Sequence, residues 1–275
     1  MLKRAAVLLG VIPFLFLPAL TRAEGPAALP PAPKGFDARR ADAGRGKVET
    51  VEYDSKATGG KRKMTVYTPP GYSKDKKYPV LYLLHGAGDN ETGWQKKGSA
   101  DVILDNLYAD KKAVPMIVVM PNGFARAPGE TGRRSSAFED DLLKNVLPYV
   151  ESHYPVVADA GHRAVAGLSM GGGQALRIGL KHLDTFAWVG GFSSAVGRGG
   201  SAADLVPGAD GAKKLRLLWL SCGDTDRLMA GSKAFHESLE AKKVPHVWHV
   251  DTGGHTWPVW KNDLYLLGQK LFRDK

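Results

Sequence analysis

The sequence predicts an α/β fold in which helices cover both faces of an eight-stranded, mostly parallel sheet. Short β-rich segments alternate with longer helical patterns along most of the chain, as parallel strands with crossover helices require. The segments VLYLL and MIVVM are almost continuously apolar, which is typical of central strands buried on both faces. With 275 residues, 43% of them hydrophobic, the chain can build one full-sized core.

The predicted elements occur in an order that indicates the α/β-hydrolase architecture. The first two strands have no helix between them, so an antiparallel hairpin is expected there. Segments 121–136 and 193–214 are too polar and glycine-rich for an apolar cap, so no large lid is expected. The predicted strands are 48–53, 63–68, 79–85, 116–120, 163–167, 186–191, 215–221 and 246–250, and the helices are 100–111, 138–153, 170–183, 232–243 and 258–272.

Residues 1–23 are predicted to be a signal peptide. Lys3 and Arg4 precede an apolar run that ends in a small-residue exit at Ala23, the pattern of a secretory signal. Two prolines interrupt the run, which is also shorter than the roughly 20 residues of a membrane span. We therefore expect a secreted or periplasmic protein with no stable membrane span after cleavage; an uncleaved anchor is the less favoured alternative.

Residues 24–34 are predicted to be a linker and residues 35–275 a single globular domain. The linker segment EGPAALPPAPK is rich in alanine and proline, a composition that favours extended chain over packed structure. No internal repeat is visible in the remainder of the chain, so one domain is the simplest division.

Charge and cysteine content exclude several functions. The formal net charge is +10, and removing residues 1–23 takes away three basic residues and no acid, which leaves +7. The basic residues are scattered and not interleaved with aromatic residues, so no nucleic-acid groove is expected. The single cysteine, Cys222, excludes an internal disulfide and ends an apolar run, where a buried structural thiol is expected.

The segment HRAVAGLSMGGGQAL places a serine between two glycines. In a chain with 33 glycines such a match can arise by chance, and an ordinary glycine turn is the alternative interpretation. Here, however, RAVAG predicts a strand and MGGGQALRIGLKHL a helix, so Ser169 falls on the tight turn between them. Gly167 and Gly171 leave room for close backbone approach. The N–H of Met170, at the helix amino terminus, can donate to an oxyanion.

A serine nucleophile needs a general base, and His255 is the strongest candidate. It lies in DTGGHTWPVW, a glycine loop between the last predicted strand and the last helix. In this architecture the base follows the acid, and both follow the serine. The other histidines after the serine lie within predicted helices or the last strand, where surface or packing roles are expected: His182, His236, His246 and His249.

Two aspartates compete for the role of triad acid. The loop SCGDTDRL offers Asp224 and Asp226, and their spacing does not choose between them. Asp251, at the end of the last strand, is a remote third candidate. For the second oxyanion donor, the loop LLHGAGDNETGW after the third strand supplies the amide of Ala87, while His85 is expected to hold this loop in shape.

Taken together, these motifs resemble a known family. PPGYSKDKKYPVLYLLHG, HRAVAGLSMGGGQAL, SCGDTDRL and GGHTWPVW are similar to the feruloyl and acetylxylan esterases of carbohydrate esterase family 1, and the resemblance runs from residue 35 to the final helix. The last aspartate of a CGTND-like loop is the family's triad acid, which implies Asp226. Family members have a GGGHDFNVW-like segment, so the chain departs at Thr256 and Trp257, and the resemblance implies the fold and triad more strongly than the acyl group.

The expected function is therefore that of a secreted serine esterase acting on feruloyl esters of plant cell-wall polysaccharide. The alternatives are an acetylxylan esterase, a siderophore or polyester esterase, an acyltransferase, and a non-catalytic carbohydrate-binding relative. The open cleft suits an ester on a polysaccharide or oligosaccharide better than a long lipid. No cofactor or metal is expected: HExxH and P-loop motifs are absent, and His246 and His249 would lie on opposite faces of a strand.

Overall fold

The structure is a computed structural model that describes residues 29–131, 137–197 and 202–273. The predicted signal peptide, 1–23, and the first part of the predicted linker lie outside these residues. Within them, no helix combines the length and the apolar character that crossing a membrane requires.

An eight-stranded sheet forms the centre of the fold, in the spatial order β1-β2-β4-β3-β5-β6-β7-β8. Strands β3 to β8 are parallel, β1 and β2 form the expected antiparallel hairpin, and β2 pairs antiparallel with β4. The predicted fold class is confirmed. The strands are β1 Lys47–Ser55, β2 Gly60–Thr68, β3 Val80–Leu84, β4 Ile117–Pro121, β5 Arg163–Leu168, β6 Trp188–Phe192, β7 Leu217–Gly223 and β8 Val247–Asp251.

Helices cover both faces of the sheet, each over its own apolar core. Along β3, Val80, Tyr82 and Leu84 face one core and Leu81 and Leu83 the other, as the twofold periodicity of a strand dictates. Helices α2 and α8 contribute to the second core, and α4, α5 and α7 to the first. The helices are α1 Gly93–Lys96, α2 Ala100–Ala109, α3 Phe138–Asp141, α4 Leu147–His153, α5 Met170–Lys181, α6 Ala209–Lys214, α7 Met229–Ala241 and α8 Trp257–Gly268.

The helix predicted over 138–153 is interrupted by a π-helical segment, Leu142–Val146, between α3 and α4. Pro148 follows directly, and its ring nitrogen has no N–H to donate to the carbonyl one α-turn earlier. The Leu147 N–H instead reaches back five residues to the Leu142 carbonyl, the hydrogen bond of a π-turn.

The short helices α1 and α6 were not predicted. In the parts of 121–136 and 193–214 that the structure describes, the regular helices are α6 and a short 3₁₀ turn.

The end of the predicted linker packs on the domain, which corrects the expectation of an unpacked segment for residues 29–34. Leu29 and Ala32 contact the core beside α2 and α8. This contact is favourable because it removes their apolar side chains from water. The Ala32 N–H donates to the Asn262 side chain of α8 at 2.8 Å. Further along, Asp37 forms an ion pair with Lys261 at 2.9 Å.

Candidate active site

Ser169 occupies a strained turn between β5 and α5. Its φ and ψ are 54° and −114°, a conformation that side-chain-bearing residues adopt rarely and that surrounding contacts must enforce. Its N–H donates to the Phe192 carbonyl and its own carbonyl accepts from Ala195, both at 2.9 Å. The turn is therefore held by the end of β6, the neighbouring strand.

Two glycines allow the backbone to approach this turn closely, as the sequence predicted. A Cβ on Gly171 would collide with the His85 carbonyl oxygen, and one on Gly167 would lie 2.6 Å from the Gly171 carbonyl carbon. The first turn of α5 can therefore rest directly on the end of β3. A side chain at either position would push the serine turn away from the loop that follows β3.

Ser169, His255 and Asp226 form one hydrogen-bonded chain. His255 Nε2 lies 2.9 Å from Ser169 Oγ, and His255 Nδ1 lies 2.8 Å from Asp226 Oδ2. The Asp226 side chain is fully buried, whereas 17% of the His255 side chain remains exposed. The carboxylate is thus sealed from water, while the imidazole edge stays accessible to a bound molecule.

Asp226 is equipped to remain ionised. Burial alone would raise the pKa of its carboxyl, but the Leu228 N–H, the Ser193 hydroxyl and His255 outweigh burial and hold the pKa below its usual range. The Leu228 N–H donates to Oδ1 at 2.8 Å. An ionised Asp226 accepts the Nδ1–H of His255, so Nε2 is left with its lone pair toward the serine hydroxyl.

Asp224 has a different partner. Its carboxylate accepts the Gly253 N–H at 2.8 Å, which ties the loop after β7 to the loop that carries His255. Sequence spacing left Asp224 and Asp226 equivalent, and the structure places only Asp226 against the imidazole. The third candidate, Asp251, instead contacts His249 and Asn262.

The expected oxyanion donors lie on either side of the serine. Met170 is the first residue of α5, where an N–H has no acceptor within the helix. Ala87 follows Gly86, and a Cβ on Gly86 would lie 3.4 Å from Ser169 Cβ and 2.5 Å from Leu168 Cδ1. The loop after β3 therefore contacts the serine turn, which brings the Ala87 amide into the neighbourhood of Ser169.

His85 holds this loop in shape. Its Nε2 accepts the Gly123 N–H at 2.9 Å, so Nδ1 carries the proton and donates to the Gly86 carbonyl at 2.8 Å. Burial lowers the pKa of His85, an effect that the Gly86 carbonyl and Asp89 only partly oppose. The ring is therefore neutral and fully occupied by backbone partners, as a structural residue requires.

The loop after β4 is fixed from a second direction by Arg62. Its guanidinium donates to the carbonyls of Asn122 and Phe124 at 2.5 and 2.9 Å. It also forms a 2.9 Å ion pair with Asp141, whose side chain is fully buried. Arg62 and His85 together hold residues 122–124 beside the serine turn.

Aromatic residues surround His255. The Trp260 ring lies edge-on to His255, with centroids 4.9 Å apart, and its Nε1–H donates to Ser193 Oγ at 3.0 Å. Trp257 packs edge-on against both Trp260 and Trp94. No sequence motif predicted a role for Ser193 or Trp260. The position of Ser193 directly after β6 was the available signal, since the carboxyl ends of parallel strands meet at one edge.

The remaining predicted packing residues have partners away from the serine. His236 Nδ1 lies 2.7 Å from His246 Nε2, and His182 Nε2 lies 2.8 Å from Glu139 Oε1. Cys222 is buried, as predicted, and burial raises the pKa of its thiol to about 11. A thiol with such a pKa is a poor nucleophile at neutral pH.

A serine on a strand-to-helix turn, hydrogen-bonded to a histidine at the carboxyl edge of this sheet, defines the class of protein as an α/β-hydrolase enzyme of the serine hydrolase type. Residues 55–267 match the Esterase family model, described as "Putative esterase". The chain belongs to this esterase family.

Named relatives place it beside feruloyl esterases. It is 33% identical, over 92% of its length, to the endo-1,4-beta-xylanase/feruloyl esterase of Xylanibacter ruminicola, and 32% identical, over 58%, to endo-1,4-beta-xylanase Y of Acetivibrio thermocellus. It spans only 35% and 15% of the lengths of these two proteins. The ferulic acid esterase of Anaeromyces mucronatus, also solved with ferulic acid, superposes with a TM-score of 0.80 at 27% identity, covering 88% of this chain and 96% of that one.

Proposed function

We propose that this protein is an exported feruloyl esterase that cleaves hydroxycinnamoyl esters from plant cell-wall polysaccharide. The observation that carries the proposal is the hydrogen-bonded chain that runs from Ser169, on its strained turn, through His255 to Asp226. The similarity to named feruloyl esterases supports the choice of acyl group, and the pattern of residues 1–23 supports export.

In the first half of the reaction, Ser169 Oγ attacks the ester carbonyl while His255 Nε2 takes its proton. Asp226 keeps the imidazole in the tautomer that can accept this proton and stabilises the imidazolium that forms. The Met170 and Ala87 amides donate to the oxyanion of the tetrahedral intermediate. His255 then protonates the sugar oxygen, which leaves, and the acyl group remains on the serine.

In the second half, water replaces the sugar alcohol. His255 Nε2 removes a proton from the water as it attacks the acyl carbon, and the same two amides hold the second oxyanion. Collapse of this intermediate returns the proton from His255 to Ser169 and releases the carboxylic acid. The partly exposed imidazole edge gives water the access that this step needs.

An ester on a polymer fits the surroundings of the serine. No large lid covers the sheet edge in the described chain, so a sugar chain can extend away from the site on both sides. Trp257 is half-buried beside Trp94 and Trp260, and aromatic surface of this kind packs well against a planar acyl group. The substrate partner is therefore an ester-decorated polysaccharide or oligosaccharide.

The proposal is tested by measuring ferulate release from methyl ferulate and acetate release from an acetylated xylan oligomer. Ser169→Ala is the blank, and Ser152→Ala, on the exposed side of α4, is the matched control that retains activity. Ferulate release that only Ser169→Ala abolishes supports a hydroxycinnamoyl esterase.

Other outcomes redirect the assignment. Acetate release without ferulate release overturns the acyl group and retains the mechanism. Turnover of neither substrate directs the search to siderophore and polyester esters, and ester formation with an added alcohol acceptor identifies an acyltransferase.

A further inference from the structure

A buried polar cluster joins β8 to α8 and has no part in the reaction described above. His249 and Asp251, two residues apart on β8, face the same side of the strand, and Asp263 of α8 packs against them. One ligand atom from each residue lies within 4.8 Å of the other two. Asp263 is fully buried, and the side chains of His249 and Asp251 are 10% and 11% exposed. We call these three residues the stem cluster.

The stem cluster is short of hydrogen-bond donors. Asp251 Oδ1 is near His249 Nε2 at 3.1 Å and accepts from Asn262 Nδ2 at 2.5 Å. Asp251 Oδ2 and both oxygens of Asp263 have no hydrogen-bond partner among the described residues. Buried carboxylate oxygens without partners are strongly unfavourable, so a bound ion, a proton or further donors are needed to satisfy them.

The charges of the cluster are also unbalanced. Two carboxylates face one imidazole, and the described residues place no lysine or arginine in an ion pair with Asp251 or Asp263. Either a proton or a cation can correct this imbalance.

A cation can be bound by all three residues together, because one ligand atom of each lies within 4.8 Å of the others. One proton shared between Asp263 and Asp251, with the Ser221 hydroxyl donating to Asp263, is the alternative way to satisfy these oxygens. A metal ion can bind both carboxylates and the imidazole nitrogen together. Imidazole nitrogen with carboxylate oxygen suits zinc and similar divalent transition metals, whereas calcium requires six to eight oxygen ligands.

We propose that His249, Asp251 and Asp263 bind one divalent transition-metal ion, with Zn²⁺ as the best fit. Three protein ligands leave one position of a tetrahedral zinc for water or for a neighbouring hydroxyl. Ser221 is the register partner of His249 on β7 and provides the nearest such hydroxyl. The sequence expectation of no metal considered His246 with His249, and the site uses His249 with two aspartates instead.

The ion would fix the loop that carries the catalytic base. Asp251 ends β8 and Asp263 lies in the second turn of α8, so they flank the segment that contains His255. A metal bound to both joins the two stems of this loop. The site holds His255 and Trp260 in position without touching the substrate, so it is a structural and positioning site.

The test uses Zn²⁺ itself as the probe on the whole protein. Metal content is measured by inductively coupled plasma mass spectrometry, and the melting temperature is recorded after chelation and after Zn²⁺ is restored. We expect about one zinc per chain. At free Zn²⁺ near 100 times the dissociation constant, mass action predicts a rise in melting temperature of roughly 5–10 °C. Ser169→Ala should bind zinc equally, which separates this test from that of the proposed function.

Variants identify the ligands. Asp263→Asn and His249→Gln should each lose the bound zinc and the zinc-dependent rise, while Asp184→Asn, an exposed aspartate paired with Lys214, should keep both. If Asp263→Asn fails to fold, His249→Gln and the chelated wild type decide. The proposal is overturned in favour of a shared proton if the wild-type protein contains no zinc and its melting temperature changes neither with chelator nor with added Zn²⁺. A zinc response that survives both ligand variants overturns it too.

Discussion

Replacing Asp226 by asparagine tests the proposed mechanism most directly. The carbonyl oxygen of the introduced asparagine can still accept the Leu228 N–H that Oδ1 of the aspartate accepts at 2.8 Å. The amide nitrogen then faces His255 Nδ1, 2.8 Å from the present position of Oδ2. Because that nitrogen is a donor, His255 must present an unprotonated Nδ1 to it and carry its proton on Nε2. An Nε2–H cannot accept the proton of Ser169.

The expected loss in turnover follows from two contributions. The buried carboxylate stabilises the imidazolium by about 4 kcal/mol, for charges about 4 Å apart at an effective dielectric constant near 20, which is about 10³ in rate. Forcing the imidazole back into the productive tautomer costs about one further hydrogen bond, roughly 1 kcal/mol. We expect kcat to fall about 10⁴-fold, as the same change does in a serine protease.

The assay is hydrolysis of 4-nitrophenyl acetate, an activated ester whose turnover does not depend on the natural acyl group. Asp224→Asn is the matched control: its side chain can still accept the Gly253 N–H, so kcat should change less than about tenfold. Melting temperatures of both variants establish that they are folded. The reasoning is refuted if Asp226→Asn keeps more than a tenth of the wild-type kcat. It is also refuted if Asp224→Asn loses a larger fraction of kcat than Asp226→Asn does.

Three further changes have defined outcomes. Arg62→Met removes the ion-pair partner of the buried Asp141, which then keeps only the Tyr53 hydroxyl among the described residues. The free energy of unfolding in urea should fall by about 3–5 kcal/mol, with partial recovery on adding Asp141→Asn. The folded-state pKa of His85 is lowered, so the wild type should lose stability as the pH falls below about 6.5, and His85→Gln should lose less. Trp260→Phe keeps the ring contact with the base but removes the donor to Ser193, and kcat should fall about fivefold.

Each of these outcomes has a clear contradiction. Equal urea midpoints for Arg62→Met and the wild type would mean that Asp141 is already neutral. Identical pH dependence of unfolding in His85→Gln and the wild type would assign the acid sensitivity to other groups. An unchanged kcat in Trp260→Phe would show that the hydrogen bond to Ser193 does not support Asp226.

The order of strands and helices could be predicted from the sequence because buried faces require apolar residues at regular spacing along the chain. The central strands β3 and β4 are apolar throughout, since helices cover both of their faces. The π-helical segment Leu142–Val146 could not be predicted in this way, because its apolar pattern is compatible with an unbroken α-helix. The packing of Leu29 and Ala32 was missed for a related reason: an Ala/Pro-rich composition indicates extended chain but not what that chain contacts.

The candidate site was predictable where local chain geometry identifies a residue and not where partners are distant in sequence. Ser169 could be placed because the strand, the turn and the helix around it are contiguous. Asp224 and Asp226 differ by only two positions, and the direction of a side chain in a tight loop depends on tertiary contacts. Asp263 is one residue of a helix, and only the packing of α8 on β8 brings it to Asp251.

The contact between Ala32 and Asn262 joins regions 230 residues apart in sequence. The segment that leads into the domain and the last helix of the fold thus lie side by side. Folded units whose ends are neighbours can be inserted into a longer polypeptide without distorting either part. A unit spliced into a host protein before Leu29 and after the end of α8 should therefore fold as an esterase domain within that host.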